Sequence, residues 1–190
     1  MKKILFNDKY CLTEAVLARN KTMTRRVLRG NVPLGNWEET KKHLPYKVGE
    51  VIAIAQPYKD IIERLPMYSD AILGVDGIPR KEYKAGWTNK LFVKADLLPH
   101  HIRITDVKVE RLQDISDDDI LREGIRKVGY AGGCMYFYNK AYIRKGNRYV
   151  EPIYNTTPIR AFASLMYKVC GGEVWRLNPL VGAYSFELVD

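Results

Sequence analysis

Apolar and polar positions along the chain alternate in short runs that predict brief strands separated by a few short helices. Lys3 to Phe6 reads as a first strand, and Leu12 to Arg19 places Leu12, Ala15 and Val16 on the inner side of a short helix. Thr13 or Asp8 stands near the cap of that helix, and Asn20 is a residue type that tolerates left-handed backbone at a helix end. Lys47-Val48-Gly49-Glu50 predicts a turn into Val51 to Ala55, an almost wholly apolar strand of the kind covered on both faces. Lys90 to Lys94 predicts another strand. Ile102 to Leu112 is the longest strand-like run, and its phase slips from even positions (Ile102, Ile104) to odd ones (Val107, Val109), as a bulge near Thr105-Asp106 or a break into two strands would produce.

Ser116-Asp117-Asp118-Asp119 is a helix start, with serine as cap and acids near the positive end of the dipole. Gly124 ends that helix and leaves Glu123 at its C-terminal end, where the dipole disfavours a carboxylate and a shielded carboxyl can act as a proton donor. Thr157 and Pro158 open a later helix with an apolar stripe of Ile159, Phe162, Ala163, Met166 and Val169, stopped by Gly171-Gly172. Tyr184, Phe186 and Leu188 alternate along a last strand. Residues 30–47 hold Gly30, Pro33, Gly35 and Pro45 and predict a loop around Trp37, and the Pro- and Gly-rich stretch between Gln56 and Trp87 predicts an irregular insertion, with a helical turn or two from Lys59 to Leu65 before Pro66. The class is α+β, one domain spanning 1–190 with insertions at about 57–88 and 126–155.

At 190 residues, 46% hydrophobic and 28% charged, the chain can bury one sizeable core. It has no apolar run of membrane-spanning length and no signal-like N-terminus, so the expectation is a cytoplasmic protein with no membrane partner. Cys11, Cys134 and Cys170 are far apart, and His43, His100 and His101 stand at no ligand spacing, so neither a disulfide framework nor a metal site is expected, and no cofactor motif is present. His100-His101, between Pro99 and a strand, read as turn residues rather than a catalytic pair.

The net charge of +9 is localised. Arg19, Lys21, Arg25, Arg26 and Arg29 fall within residues 19–29 with no acid, and residues 126–155 hold six cations against Glu151 alone. The rest of the chain is close to neutral, so the charge marks a polyanion footprint rather than a general solubility device. The second basic stretch also interleaves six tyrosines (Tyr130, Tyr136, Tyr138, Tyr142, Tyr149, Tyr154) with its cations. That mixture suits unpaired bases and backbone phosphates. It equally suits a β-hairpin with cross-strand tyrosine pairs and a turn at Gly146-Asn147.

In the first basic stretch, like charges around Lys21 favour its neutral form if it is also partly buried, which makes it a candidate base. Thr22 and Thr24 are nearby hydroxyls that such a base can activate. In a regular strand Lys21 and Thr24 would face opposite ways while Thr22, Thr24 and Arg26 shared a face, so cooperation of the first pair requires the chain to turn as it leaves the helix. The plain alternative is a basic turn whose threonines satisfy backbone groups and whose arginines hold phosphate or solvent.

The run Lys21-Thr22-Met23-Thr24-Arg25-Arg26, of the form Lys-Thr-x-Thr-x-Arg after an N-terminal helix, resembles the signature of the ASCH domain, a small mixed β-barrel of the PUA-like superfamily. Leu112-Gln113-Asp114-Ile115 leading into Glu123-Gly124, and Trp175 to Tyr184 with Asn178-Pro179, resemble the larger, phage-associated ASCH proteins. The resemblance implies a PUA-like mixed β-barrel with a few short helices and two insertions. It also implies recognition of RNA, single-stranded nucleic acid or a modified nucleoside, with Thr22, Arg25 and Arg26 of the motif as binding residues, and the basic, tyrosine-rich stretch adds Tyr138, Arg144 and Arg148 as candidates of its own. A second implication is hydrolysis of an acetylcytidine-type nucleoside with Lys21 as base, Thr24 as nucleophile and Glu123 as proton donor, and a third is ribonuclease activity with lysine and glutamate in place of histidines.

Overall fold

The computed structural model describes residues 1–28, 30, 32–62 and 70–190, so Arg29, Leu65 and Pro66, named above, lie outside the described residues. In chain order the elements are β1 (Lys3–Ile4), α1 (Leu12–Leu17), β2 (Met23–Val27), α2 (Trp37–His43), β3 (Val51–Ile54), α3 (Tyr58–Ile61), β4 (His101–Arg111) and α4 (Asp117–Arg122). They continue with β5 (Arg126–Tyr130), β6 (Gly133–Arg144), β7 (Asn147–Asn155), α5 (Pro158–Cys170), α6 (Gly172–Leu177) and β8 (Leu180–Leu188). The fold is mixed α+β with two sheets, and among the described residues no strand pairing closes either sheet into a barrel. The chain divides into two compact units.

The first unit comprises Met1–Phe6, Val51–Arg103 and Leu188–Asp190. β1 runs parallel to β3, with Lys3 opposite Ala53, and β3 runs antiparallel to the start of β4, with Ile52 opposite Ile102. Ile52, Ala53 and Ile54 are all fully buried, which explains why this strand is apolar without alternation. Ala53 joins Tyr58, Ile61, Ile72, Val93 and Leu98 in a core cluster. The strand expected at Lys90 to Lys94 is instead a 3-10 turn over Lys90–Phe92, because the Asn89 side chain accepts from Leu91 N at 3.0 Å and curls the backbone there. His101 Nδ1 meets Asp190 Oδ2 at 2.5 Å, an ion-pair partner that the sequence pattern does not suggest.

The second unit comprises Asn7–Glu50 and Ile104–Glu187. Its strands lie in the order β4-β8-β2, and β2 pairs antiparallel with β8, placing Thr24 opposite Tyr184 and Arg26 opposite Gly182. β4 is one uninterrupted strand rather than two, and the phase slip survives within it: Ile102, Ile104 and Val107 are the buried positions. β8 is buried at Val181, Ala183 and Ser185 as well as at Tyr184 and Phe186, so both of its faces are covered. The supposed loop around Trp37 contains α2. Asn36 caps it by accepting from Glu38 N at 2.9 Å, with Glu38 and Glu39 in the first turn and Lys41, Lys42 and His43 in the last. Two of the segments that carry the family resemblance meet here, as Gln113 N donates to Asn178 Oδ1 at 2.8 Å and Leu112 N to Pro179 O at 3.0 Å.

α4 and α5 begin as the sequence predicts: Ser116 Oγ accepts from Asp119 N, and Thr157 Oγ1 from Arg160 N. The inner stripe of α5 is rotated from the expected one. Ala161, Phe162 and Leu165 are buried, whereas Ile159 is exposed and Met166 only partly covered. The second basic stretch forms a three-stranded antiparallel sheet, β5-β6-β7, one strand more than a hairpin. Arg144 pairs with Asn147, so the turn is Lys145-Gly146, one residue earlier than expected. Both turn residues have positive φ (50° and 80°), as the tight two-residue hairpin turn requires.

Candidate functional site

The way α1 ends sets the position of Lys21. Arg19, not Asn20, takes the left-handed conformation (φ 58°), and Asn20 N and Lys21 N both donate to Ala15 O, at 2.8 and 3.0 Å. The chain then joins two neighbours through one residue, with Thr22 N donating to Arg122 O and Thr22 O accepting from Phe186 N, both at 2.9 Å. β2 starts only at Met23, so Lys21 is outside the strand and free of its alternation. Its amine turns to the end of α4, donating to Glu123 Oε2 at 2.5 Å and to Glu123 O at 2.8 Å. Gly124 has φ +97°, and a Cβ there would lie 3.4 Å from Lys21 Cβ. Only glycine fits this helix end without strain and without pressing on the lysine stem.

Lys21 and Glu123 are 2% and 3% exposed, and Thr24 is 5% exposed. Around the pair runs a network of charges. Arg25, with a side chain 1% exposed, places Nη2 at 2.5 Å from Glu110 Oε1 and 3.3 Å from Asp119 Oδ2, and Nη1 at 3.1 Å from Glu123 Oε1. Lys108 reaches Asp119 Oδ2 at 2.7 Å and Glu110 Oε2 at 3.0 Å. Arg122 holds Asp119 Oδ1 at 3.2 Å and donates to Ser185 Oγ at 2.8 Å. One planar guanidinium therefore bridges three carboxylates, a task suited to arginine's fixed fork of donors.

Burial is the largest influence on the Lys21 amine and pushes its pKa below the ordinary lysine value of 10.5, with Arg26 and Arg25 adding to the depression and Glu123 opposing it. The direction expected from the crowd of cations is thus met, but desolvation dominates over repulsion. Burial would by itself raise the Asp119 carboxyl. The hydrogen bond and charge of Lys108, with Arg25 and Arg122, outweigh it and hold the group below 3.8. The expectation for Glu123 changes in kind: each of its oxygens faces a cation, so it is a member of an ion-pair network rather than a carboxyl isolated at the negative end of a helix.

Of the residues singled out above, Lys21 and Glu123 are brought together, and Thr24 lies buried in the adjoining strand. Thr22 serves the backbone junction just described. Arg25 is committed to three carboxylates, so its expected role at phosphates gives way to an internal one. Arg26 is partly buried on the side of β2 that faces Tyr184, whose hydroxyl burial raises to about 12. Tyr138 is 1% exposed and its hydroxyl meets Ser164 Oγ at 2.9 Å, which makes it an anchor of the small sheet and not a stacking surface. Arg148 is half-exposed and paired with Glu14, while Arg144 is exposed at the hairpin tip. Glu110, Asp119 and Lys108 escaped the sequence reading. One signal was present, since Asp119 and Glu123 are four residues apart and share a helix face.

Among the described residues, no three His, Cys, Asp or Glu side chains cluster so as to hold a metal ion, and no helix is long and apolar enough to cross a membrane. No protein-family model matches the chain, and no curated protein does. Among solved structures the chain is similar to the ASCH domain from Lactobacillus crispatus JV V101, with 13% identity over 97% of this chain and 76% of that one and a TM-score of 0.43.

Proposed function

We propose that the protein is an ASCH-type member of the PUA-like superfamily that recognises single-stranded RNA or a nucleoside within it, and that the three-stranded sheet is its gripping surface. The observation that supports this most is the pairing of cations with aromatic rings along that sheet. Arg126 lies over the Phe137 ring at 5.3 Å, Lys127 over Tyr136 at 5.9 Å and Lys140 over Tyr142 at 4.1 Å. β5 is exposed along its whole length, as is the tip of the hairpin. Rings offer stacking faces to any base and the cations neutralise phosphate, so such a surface binds strands with little regard to sequence and with strong salt dependence. The expected result is an RNA affinity that falls steeply between 50 and 200 mM salt, on the scale set by counterion release. Arg144→Gln combined with Lys145→Asn should flatten the log–log salt slope by about 1.4, the share of two single-strand phosphate contacts. Absent or salt-independent binding in filter or anisotropy titrations would reject this function.

A second function is favoured by a different observation, the buried Lys21 amine with its pKa pushed down, paired with Glu123 and two residues before the strand that carries the buried Thr24. In it, Thr24 Oγ1 attacks the acyl carbonyl of an N4-acylated cytidine while Lys21 takes the hydroxyl proton. The protonated Lys21 passes that proton to the departing cytidine amine as the C–N bond breaks, and water then hydrolyses the Thr24 ester, releasing the carboxylic acid and restoring the hydroxyl. The expected outcome is deacylation of N4-acetylcytidine by the wild type and its loss in Thr24→Val, which keeps shape while removing the nucleophile. No turnover of any acylated nucleoside, or full turnover by Thr24→Val, would exclude the mechanism.

A further inference from the structure

We propose that the cleft between α1 and the three-stranded sheet seats one unpaired base of a bound strand, and that adjacent bases stack on Phe137 and Tyr154. The inference rests on the RNA-binding function proposed above and names the place and the state of the nucleic acid. Residues opposite one another in an antiparallel ladder share a face. The register sets Arg126 opposite Phe137 and Phe137 opposite Tyr154, with Val128 opposite Met135, Asn139 opposite Pro152 and Ala141 opposite Val150, so all of these lie on one face of the sheet. Tyr138, the buried anchor, belongs to the other face. The first face is open over much of its area: Tyr154 is 50% exposed, Val128 and Val150 are also exposed, and the Phe137 and Tyr154 rings sit 5.3 Å apart.

The same face meets α1 at its other side, where Arg148 Nη2 contacts Glu14 Oε1 and lies 3.6 Å from Cys11 Sγ. Between helix and sheet is a cleft of about 160 Å³ with Tyr10, Glu14, Asn20, Arg126 and Asn139 on its walls. Ala15, Ala18 and Gly124 line it too, and their small size leaves the space open. Asn20 and Asn139 each offer a carbonyl acceptor and an amide donor, the complement of a base edge. Glu14 is neutralised by Arg148, so the one acid of the cleft does not repel a polyanion. Arg126 both lines the cleft and covers Phe137, which places a cation where the backbone joining a seated base to a stacked one must pass. Charge selects the occupant: residues 126–155 carry six cations and one acid, which suits an anionic strand and opposes a second copy of this chain. A base paired in a duplex has its Watson–Crick edge and both stacking faces occupied, so the surface selects single strands.

The test uses the full chain and a fluorescein-labelled 12-nucleotide single-stranded RNA, with a duplex of the same length as comparison. Tyr154→Ala should weaken single-strand binding by at least about fivefold, the lower end of what one base stacked on a ring contributes. Tyr154→Phe should restore it, and Asn139→Ala, which removes a polar partner of the seated base, should weaken single-strand binding by a smaller factor. Circular dichroism melts keep a folding defect from passing as a binding effect, and the exposed Tyr130→Ala supplies a second variant of the same sheet. Wild-type affinity in both Tyr154→Ala and Asn139→Ala, with salt-dependent binding retained, would overturn the cleft while leaving RNA binding in place. Failure of the wild type to bind any nucleic acid would overturn both proposals. Dimerisation abolished by Tyr154→Ala would assign the face to self-association instead.

Discussion

Arg25→Met is expected to destabilise the protein by about 3–5 kcal/mol, because it removes the buried cation shared by three carboxylates and leaves Glu110 and Asp119 to the part-exposed Lys108 and Arg122, and Glu123 to Lys21. For a chain of this size that corresponds to a fall in melting temperature of roughly 6–20 °C. The magnitude follows from asymmetry: an intact buried network adds little net stability, since desolvation offsets attraction, but removing its central cation leaves the desolvation of the carboxylates in place with less attraction to offset it. Arg25→Lys should rescue little, because one compact ammonium cannot span three carboxylates. Urea denaturation of the three proteins measures this directly. A loss below about 1 kcal/mol would mean that the carboxylates find water or other cations easily, and the network would then not be the organising feature of the second unit.

Glu123→Gln is the other large effect expected, again about 3–5 kcal/mol near neutral pH, because Lys21 keeps its burial and loses the charge that opposes it. This variant also changes the pH dependence, and the sign is fixed by linkage. In the wild type the folded-state pKa of Lys21 is below the unfolded value of 10.5, so the unfolded chain holds the extra proton between those two values and stability rises with pH across that window. Removing Glu123 removes the influences that raise the amine, so the window should open at lower pH. Urea midpoints taken from pH 6 to 10 should climb earlier in Glu123→Gln than in the wild type. A midpoint that falls with pH in the variant would contradict the sign.

Much of the layout was legible in the chain because local chemistry decides it. Ser116 and Thr157 cap helices in the structure as they do in the pattern, and the apolar run Val51 to Ala55 contains a strand, Val51–Ile54, that is buried from Ile52 onward. α2 was hidden because Gly30, Pro33, Gly35 and Pro45 outweighed Asn36 and the acid-to-base gradient behind it, although that gradient is itself a helix signature. The candidate site was legible as composition but not as geometry. Lys21 and Glu123 are 102 residues apart, and what joins them is the left-handed turn at Arg19 and the glycine at 124. Neighbouring arginines that look alike in sequence separate in the same way. Arg25 points into three carboxylates from β4 and α4, and Arg26 does not, because adjacent strand residues leave opposite faces. No reading of charge density distinguishes them.

The hairpin of β6 and β7 is rooted by Tyr138 on Ser164 and ends in a two-residue turn whose neighbours are all exposed. Beside the turn, Arg148 of β7 is held by Glu14 of α1, so amide exchange should be slow at the packed root, intermediate around Arg148 and quickest at the turn residues Lys145 and Gly146. The ribbon is thus pinned twice, at its root by Tyr138 and near its tip by Arg148, which holds the cations of Arg144 and Lys145 out in solvent at a fixed distance from the helix.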